Sequence, residues 1–326
     1  MNLNEFDEKY RKLGYNIIAG LDEAGRGPLA GPVVASAVIL PENIELDEVN
    51  DSKKLSEKKR IKLFDEIQEK ALAIGVGIVH EREIEKLNIL GATISAMKKA
   101  VGQLKIKPEI LLIDGPHIHI PHFKFENIIN GDAQSLSIAS ASIIAKVTRD
   151  RIMQQYDKVF PEYGFSSHKG YGTKKHLDAI REYKATPIHR KSFKPVSEHL
   201  PNFRHYKQTR EIGQLGERLA ASGLVKLGYE ILDMNFNVPK IGELDIVHRE
   251  NGEVVISEVK TLFAGNPDVE PADNIDKNKW ERIMRATQVY IDEKEIKDNV
   301  RFDVISVRIS GSKPRITRIK NGLSIE

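Results

Sequence analysis

The chain has no cysteine among its 326 residues. That excludes disulfides and thiolate metal sites, and it fits a reducing, cytosolic setting. It also lacks a dominant sign of charge: 50 Lys and Arg against 47 Asp and Glu leave a net +3. Any contact with a polyanion therefore has to come from local patches. No apolar run approaches membrane-spanning length. The polar, acidic start Met1-Asn2-Leu3-Asn4-Glu5-Phe6-Asp7-Glu8 is unlike a secretory leader. No internal repeat is present. The glycine-bearing stretch Gly25–Gly31 is not followed by Gly-Lys-Ser/Thr, which excludes a nucleotide P-loop. These absences predict a cytoplasmic protein. A charged fraction of 30% and a hydrophobic fraction of 40% are ordinary for a globular chain, and the length predicts two domains.

The first part alternates strand and helix patterns, which predicts an α/β layer structure. Ile17 to Leu21, Val33 to Leu40, Ala73 to Val79 and Ile110 to Ile113 read as strands, the last stopping at Asp114-Gly115-Pro116. Helices are predicted over Ser56 to Leu72, Leu90 to Leu104 and Leu136 to about Tyr156. A boundary falls near Pro201 to Gln208, dividing a domain over residues 1–203 from one over 209–326, with a linker at 204–208. Beyond it, a helix carries Ile212, Leu215 and Leu219 on one face. Strands follow at Tyr229 to Asn235, Leu244 to His248 and Val254 to Val259. Gly265 to Asn278 reads as a loop, Trp280 to Ile291 as a helix and Phe302 to Ile309 as a strand.

The densest chemistry lies in Gly20-Leu21-Asp22-Glu23-Ala24-Gly25-Arg26-Gly27-Pro28-Leu29. Two carboxylates close an apolar run and can hold hard divalent cations, which prefer oxygen ligands. The glycines let the backbone approach a ligand, and the arginine suits phosphate. This combination points to metal-dependent chemistry on a phosphodiester. Asp114 ends another apolar run, and Asp132 follows a third (Ile128, Ile129), so the four acids are candidates for one cluster. Strand alternation would place Asp22 and Glu23 on opposite faces unless the strand bends at its end. Taken singly, each Asp also suits a turn or a helix N-cap, and spacing alone leaves the two readings open. His117, His119 and His122 lack an obvious fourth ligand for zinc and read as exposed loop histidines.

The Gly20–Pro28 run resembles the signature of ribonuclease HII. So do Asn50-Asp51-Ser52-Lys53-Lys54-Leu55-Ser56, Leu112-Ile113-Asp114-Gly115, Gly131-Asp132, Ala141 through Asp150 and His168-Lys169-Gly170-Tyr171-Gly172-Thr173. The resemblance covers about the first 200 residues in order. It implies a ribonuclease H-like mixed sheet with flanking helices, and cleavage of RNA in RNA–DNA hybrids and beside single ribonucleotides in duplex DNA. It further implies that Asp22, Glu23, Asp114 and Asp132 hold two Mg²⁺ or Mn²⁺ ions for an in-line displacement leaving 5′-phosphate and 3′-hydroxyl ends. Gly25, Arg26 and Gly27 would read the ribose 2′-hydroxyl, the group that separates RNA from DNA. Tyr171 would stack on the next deoxyribose; without the resemblance it reads as a half-buried aromatic. Lys53 and Lys54, and more weakly Arg190 and Lys191, are candidate phosphate contacts.

A second pattern comprises Glu217, Glu243, Asp245, Glu258 and Lys260. Period two puts Glu258 and Lys260 on one strand face, the core of the PD-(D/E)xK nuclease pattern. Asp245 and Glu258 would bind a divalent ion, and Lys260 would position water or neutralise developing charge. A same-face salt bridge is the plainer reading of Glu-x-Lys, and Glu217 reads equally as a solvated helix residue. Gly213 through Glu217, Gly228-Tyr229, Asn235-Phe236, Gly242 through Asp245 and Glu258 through Thr261 resemble the YraN family. This implies a smaller α/β restriction-endonuclease-like domain with DNA as its partner. Ser257 and Leu262 depart from that family's usual apolar residue and arginine. The expectation is a ribonuclease fused to a metal-dependent DNA nuclease, the alternative being a ribonuclease tethered to a non-catalytic DNA-binding module.

Overall fold

The computed structural model describes residues 3–46, 49, 55–201, 209–263, 277–309 and 314–322. Lys53, Lys54 and the linker at 204–208 lie outside the described residues. The chain divides into two compact units: Met1–Met153 with Ser166–His199, and Gln154–Phe165 with Leu200–Glu326. Among the described residues no helix is long and apolar enough to cross a membrane.

The first unit is built from α1 (Leu3–Lys12), β1 (Ile18–Ala24), β2 (Val33–Ile39), α2 (Glu57–Lys70), β3 (Ala73–Val79), α3 (Glu81–Gly102), β4 (Ile110–Asp114), β5 (Phe125–Ile128), α4 (Leu136–Val159) as far as Met153, α5 (Phe165–His168) from Ser166 and α6 (Lys174–Tyr183). The strand order is β3-β2-β1-β4-β5. β1 pairs antiparallel with β2 and parallel with β4, which makes the sheet mixed. Period two sorts the strand residues between two layers. Ala19 and Leu21 of β1 and Leu111 and Ile113 of β4 pack with α3, whereas Val38 of β2 packs with α2 and α4. Gly20, Asp22 and Asp114 therefore share the face covered by α4. A Cβ on Gly20 would stand 2.1 Å from the Ser137 backbone, so only glycine lets the start of α4 lie on β1.

Two helices depart from the sequence expectation. α3 begins at Glu81 rather than Leu90 and is interrupted at Asn88, where φ is 58°. The Asn88 side chain accepts from the Gly91 amide at 3.0 Å and restarts the helix, so the predicted segment is only the second half. α1, unforeseen, delivers Asp7 to the N-terminus of α4. Asp7 accepts from the Ser135 hydroxyl at 2.5 Å, the Ser137 amide at 2.9 Å and the Ser137 hydroxyl at 2.7 Å. A remote carboxylate thus satisfies orphan donors of the first turn.

The second unit comprises α7 (Thr209–Lys226), β6 (Glu230–Val238), β7 (Gly242–Glu250), β8 (Glu253–Phe263), α8 (Lys277–Glu293), β9 (Val300–Ile309) and β10 (Arg315–Lys320). Its sheet order is β10-β9-β8-β7-β6, with only β8 and β9 parallel. β10, an edge strand with almost no apolar face, was not foreseen. Val247, Val254 and Ile256 pack against Ile283, Ala286 and Tyr290 of α8. The predicted α7 stripe of Ile212, Leu215 and Leu219 is only half-buried; the packed face runs through Gly216, Ala220 and Leu224. A Cβ on Gly216 would stand 1.8 Å from the Thr261 hydroxyl, so glycine sets how closely α7 approaches β8. That rotation also brings the next residue, Glu217, half under cover.

Candidate functional site

In the first unit, the pairing Leu21↔Ile113 sets the ends of β1 and β4 side by side, so Asp22 and Asp114 emerge next to each other on the α4 face. Asp22 is buried. Its carboxyl is pushed well above the usual carboxylate range by burial, then by the charges of Glu23 and Asp114, while Ser142 of α4 hydrogen-bonds to it. Asp22 also accepts the Glu23 amide at 2.6 Å. Alternation is thus overcome at the strand end: Glu23 stands close enough to repel Asp22, and its own carboxylate meets Arg26 at 3.2 Å. Asp114 accepts the Gly131 amide at 2.6 Å. This ties β4 to the turn that carries the buried Asp132, the next residue. Among the described residues no three acidic or histidine side chains are drawn in to the spacing of a closed metal cage. The donor set still fits hard divalent cations: it is all oxygen, and the charges of Glu23 and Asp114 raise the proton affinity of Asp22, as packed carboxylates do before a cation neutralises them.

Tyr171 is 46% exposed, and its ring lies 3.6 Å from where a Cβ of Gly27 would stand. The glycine loop and the tyrosine, far apart in sequence, form one surface. His117, His119 and His122 are exposed, as expected for loop histidines.

In the second unit the predicted acids also converge. The Val259 amide donates to Asp245 at 2.7 Å, which fixes β7 against β8 at Glu258. Asp245 is pushed up to about 8 by burial, then by the charge of Glu258. Glu217 is raised by burial and by Glu243 and Glu258, against a hydrogen bond from Asn235 at 2.6 Å. The nearly inaccessible Glu258 carboxylate meets Lys260 at 3.1 Å and also meets Lys279. Lys279, from α8, was not foreseen; nothing in its local spacing marks it, because only the fold brings α8 over β8. Ser257, noted as a departure, points away from Glu258: its hydroxyl pairs with buried His248 at 3.2 Å.

Comparison with known proteins places the first unit. The profile of the family described as Ribonuclease HII matches residues 19–196, more than half of the chain. The chain belongs to the ribonuclease HII family. It is 58% identical over 186 residues to the ribonuclease HII of Acetivibrio thermocellus, covering 57% of this chain and 72% of that protein. It is 55% identical over 203 residues to that of Geotalea daltonii, covering 61% and 93%. The crystal structure of ribonuclease H2 from Pyrococcus horikoshii superposes with a TM-score of 0.50 at 27% identity, over 56% of this chain and 96% of that one. Residues 216–307 match the uncharacterised protein family UPF0102, to which the YraN-like pattern corresponds.

Two arginines of this ribonuclease HII were not assigned their place by sequence. Arg190, a candidate phosphate contact, is fully buried and instead binds backbone. It donates to Gly31 O at 3.1 and 2.9 Å, Arg26 O at 2.8 Å and Gly25 O at 2.5 Å. Arg149, equally buried, donates to Pro32 O at 3.0 Å, Lys169 O at 2.9 Å and Ala30 O at 3.1 Å. One guanidinium therefore holds the glycine loop, and the other ties it to the segment carrying Tyr171. Lys191, the other weak candidate, is exposed. Its amide donates to Glu85 at 2.7 Å.

Beneath Tyr171 lies a chain of histidines. His176 Nδ1 is 2.9 Å from Tyr171 O, His176 Nε2 is 3.0 Å from His189 Nε2, and the Thr186 amide donates to His189 Nδ1 at 3.0 Å. A carbonyl can only accept and an amide can only donate, so both tautomers are assigned. His176 carries its proton on Nδ1 and His189 on Nε2, and the whole chain donates toward Tyr171 O. It closes only when both rings are neutral. Burial drives both that way, lowering His176 to about 4 and His189 well below its ordinary value.

Proposed function

We propose that this ribonuclease HII cuts RNA within RNA–DNA hybrids and nicks duplex DNA on the 5′ side of an embedded ribonucleotide, leaving 5′-phosphate and 3′-hydroxyl ends. Mg²⁺ or Mn²⁺ would supply an activated water and neutralise charge on the phosphodiester. Asp22, Glu23, Asp114 and Asp132 would hold two ions. Gly25, Arg26 and Gly27 offer backbone groups to the 2′-hydroxyl, and Tyr171 stacks on the sugar of the following deoxynucleotide. The observation that carries this reading is the exposed Tyr171 ring against Gly27, beside a carboxylate cluster whose like charges call for cations. Asp132→Asn should abolish nicking of a duplex with one ribonucleotide while leaving its binding largely intact. Retained nicking would remove Asp132 from the centre.

For the second unit the reading is a metal-dependent DNA nuclease. Asp245 and Glu258 are the candidate ligands of one ion, Glu217 assists them, and Lys260 positions water or offsets developing charge. The crowding of Glu217, Asp245 and Lys260 around Glu258 supports it. One observation favours the alternative of a non-catalytic DNA-binding module: Glu258 already has two lysine partners, so the acids can be structural. The Asp22→Asn/Asp132→Asn protein, offered single-stranded, duplex, flapped and branched DNA with Mg²⁺ or Mn²⁺, separates them. Cleavage abolished by Lys260→Ala establishes a second nuclease. Binding without cleavage establishes the module.

A further inference from the structure

The second unit carries a basic cleft that the candidate catalytic residues do not use. A cavity of about 550 Å³ is lined by Asn237, Lys240, Gly242, Glu243, Arg282 and Arg285, among others. Three cations against one carboxylate make its lining positive. Both arginines and Lys240 are exposed. Among the described residues no carboxylate pairs with Lys240 or Arg282. Among the same residues Arg285 meets Glu281 at 3.7 Å, on the surface of its own helix. Arg282 is held in place instead by backbone: its Nε donates to Ile241 O at 3.0 Å, and its Cβ lies 3.5 Å from where one on Gly242 would stand.

The cleft adjoins the acidic centre along two paths. On β7, Glu243 lines the cavity, and Asp245 follows on the same strand face about 7 Å further on. On α8, Arg282 and Arg285 fall three and six residues after Lys279, which puts all three cations on neighbouring positions of one side of the helix. Lys279 itself touches Glu258. A stripe of positive charge thus runs from the carboxylates into the cleft. The described lining contains no aromatic ring, so nothing there stacks on a base; its chemistry suits phosphates.

We propose that the Lys240–Arg282–Arg285 cleft binds the sugar–phosphate backbone of the DNA strand presented to the Asp245–Glu258 centre, without reading its sequence. The inference deepens the nuclease reading of that centre and rests on it for the strand's destination.

The test uses the full chain with Asp22→Asn/Asp132→Asn, which silences the first centre. All-deoxyribose duplex and single-stranded DNA of one sequence serve as probes. Hydrogen exchange is followed in segments 237–243 and 278–286, so that DNA held by the first unit does not enter the signal. Both segments should become protected. Titrating that protection at several salt concentrations should show three phosphate contacts on duplex DNA, a loss of about 40-fold in affinity for a fourfold rise in salt. Lys240→Ala/Arg285→Ala, two exposed changes, should flatten most of that dependence, and adding Arg282→Gln should remove nearly all of it. An unchanged Trp280 fluorescence transition in urea checks that the unit stays folded. Absence of protection in both segments while the first unit becomes protected overturns the proposal, as does protection indifferent to the replaced cations. The two readings also fail separately. Lys260-dependent cleavage untouched by the cleft variants keeps the nuclease and removes the cleft. Cation-dependent protection without cleavage keeps the cleft and removes the nuclease.

Discussion

Replacing Arg190 should damage recognition of the ribonucleotide although the side chain cannot reach a substrate. Its guanidinium, fully buried, satisfies the carbonyls of Gly25, Arg26 and Gly31 with four hydrogen bonds. None of its hydrogen-bond partners is a carboxylate; burial lowers its proton affinity to about 9, and nearby Arg149 adds to this. Arg190→Gln keeps one planar amide and leaves about two of the three carbonyls dry, at roughly 1–3 kcal/mol each. The relief of removing a buried charge offsets part of this, so the net loss should be about 2–4 kcal/mol. For a unit of this size that is about 5–10 °C in melting temperature. Circular dichroism should record it, whereas fluorescence of the single tryptophan, Trp280 in the second unit, should keep its urea transition. Arg190→Lys should fall between, because an ammonium retains the charge and loses the fork. Freed of its clamp, the Gly25–Gly27 backbone should drift. Misplacement on the scale of 1 Å costs about 100-fold, and the loss should fall on kcat/KM for a single embedded ribonucleotide more than for a continuous hybrid. An Arg190→Gln protein that melts and cuts like the parent would refute the reasoning.

Tyr171→Ala should weaken nicking at a single ribonucleotide by about 1–3 kcal/mol of lost stacking, measured as kcat/KM; an unchanged rate would make the ring structural. The histidine chain should make the first unit acid-labile. The folded-state value of His176, about 4, lies below the unfolded value, so its contribution is fully present above pH 6.5 and is lost as pH falls from 6.5 toward 4, about 3 kcal/mol for this group. Urea midpoints of parent and His176→Asn/His189→Asn proteins between pH 7 and 4.5 should show a flatter profile in the variant, and parallel profiles would remove the histidines as the cause.

The sheets and the candidate centres were legible where a local pattern and a tertiary demand coincide. Apolar runs ending in Asp22 and Asp114 are strands because both faces are covered, and their carboxylates gather because the parallel β1 and β4 stop side by side; Glu258, in the other sheet, stands within β8. What was hidden depends on contacts that no local spacing encodes. The partners of Arg190 lie 159 to 165 residues away, so a buried backbone clamp reads as a surface cation. Lys279 reaches Glu258 only through the placement of α8. β10 has almost no apolar face; it is held as an edge strand by ion pairs of Arg318 and Lys320 with Glu250 and Asp303, which hydrophobic periodicity cannot show.

The two centres meet like-charge crowding in different ways, and this makes a final prediction. In the second unit Lys260 and Lys279 bring two ammonium groups to Glu258, so part of the cluster's charge is balanced from within. In the first, Arg26 meets Glu23 from a half-exposed position, while burial and the charges of Glu23 and Asp114 raise the affinity of Asp22 for its proton. Divalent cations should stabilise the first unit, where the charges of Glu23 and Asp114 crowd Asp22. At a hundredfold excess over the dissociation constant, one bound ion adds about 2.7 kcal/mol. In the second unit an entering ion must first displace Lys279 from Glu258, which should reduce the shift of the Trp280 transition relative to a Lys279→Ala protein. Sign follows from linkage: Asp22, raised in the folded state, favours folding at low pH, and an incoming cation competes with its proton. The stabilisation by Mg²⁺ should then grow with rising pH. A Mg²⁺-induced shift of the first unit that is absent, or that shrinks with rising pH, would mean the four carboxylates do not act as one cation-binding cluster.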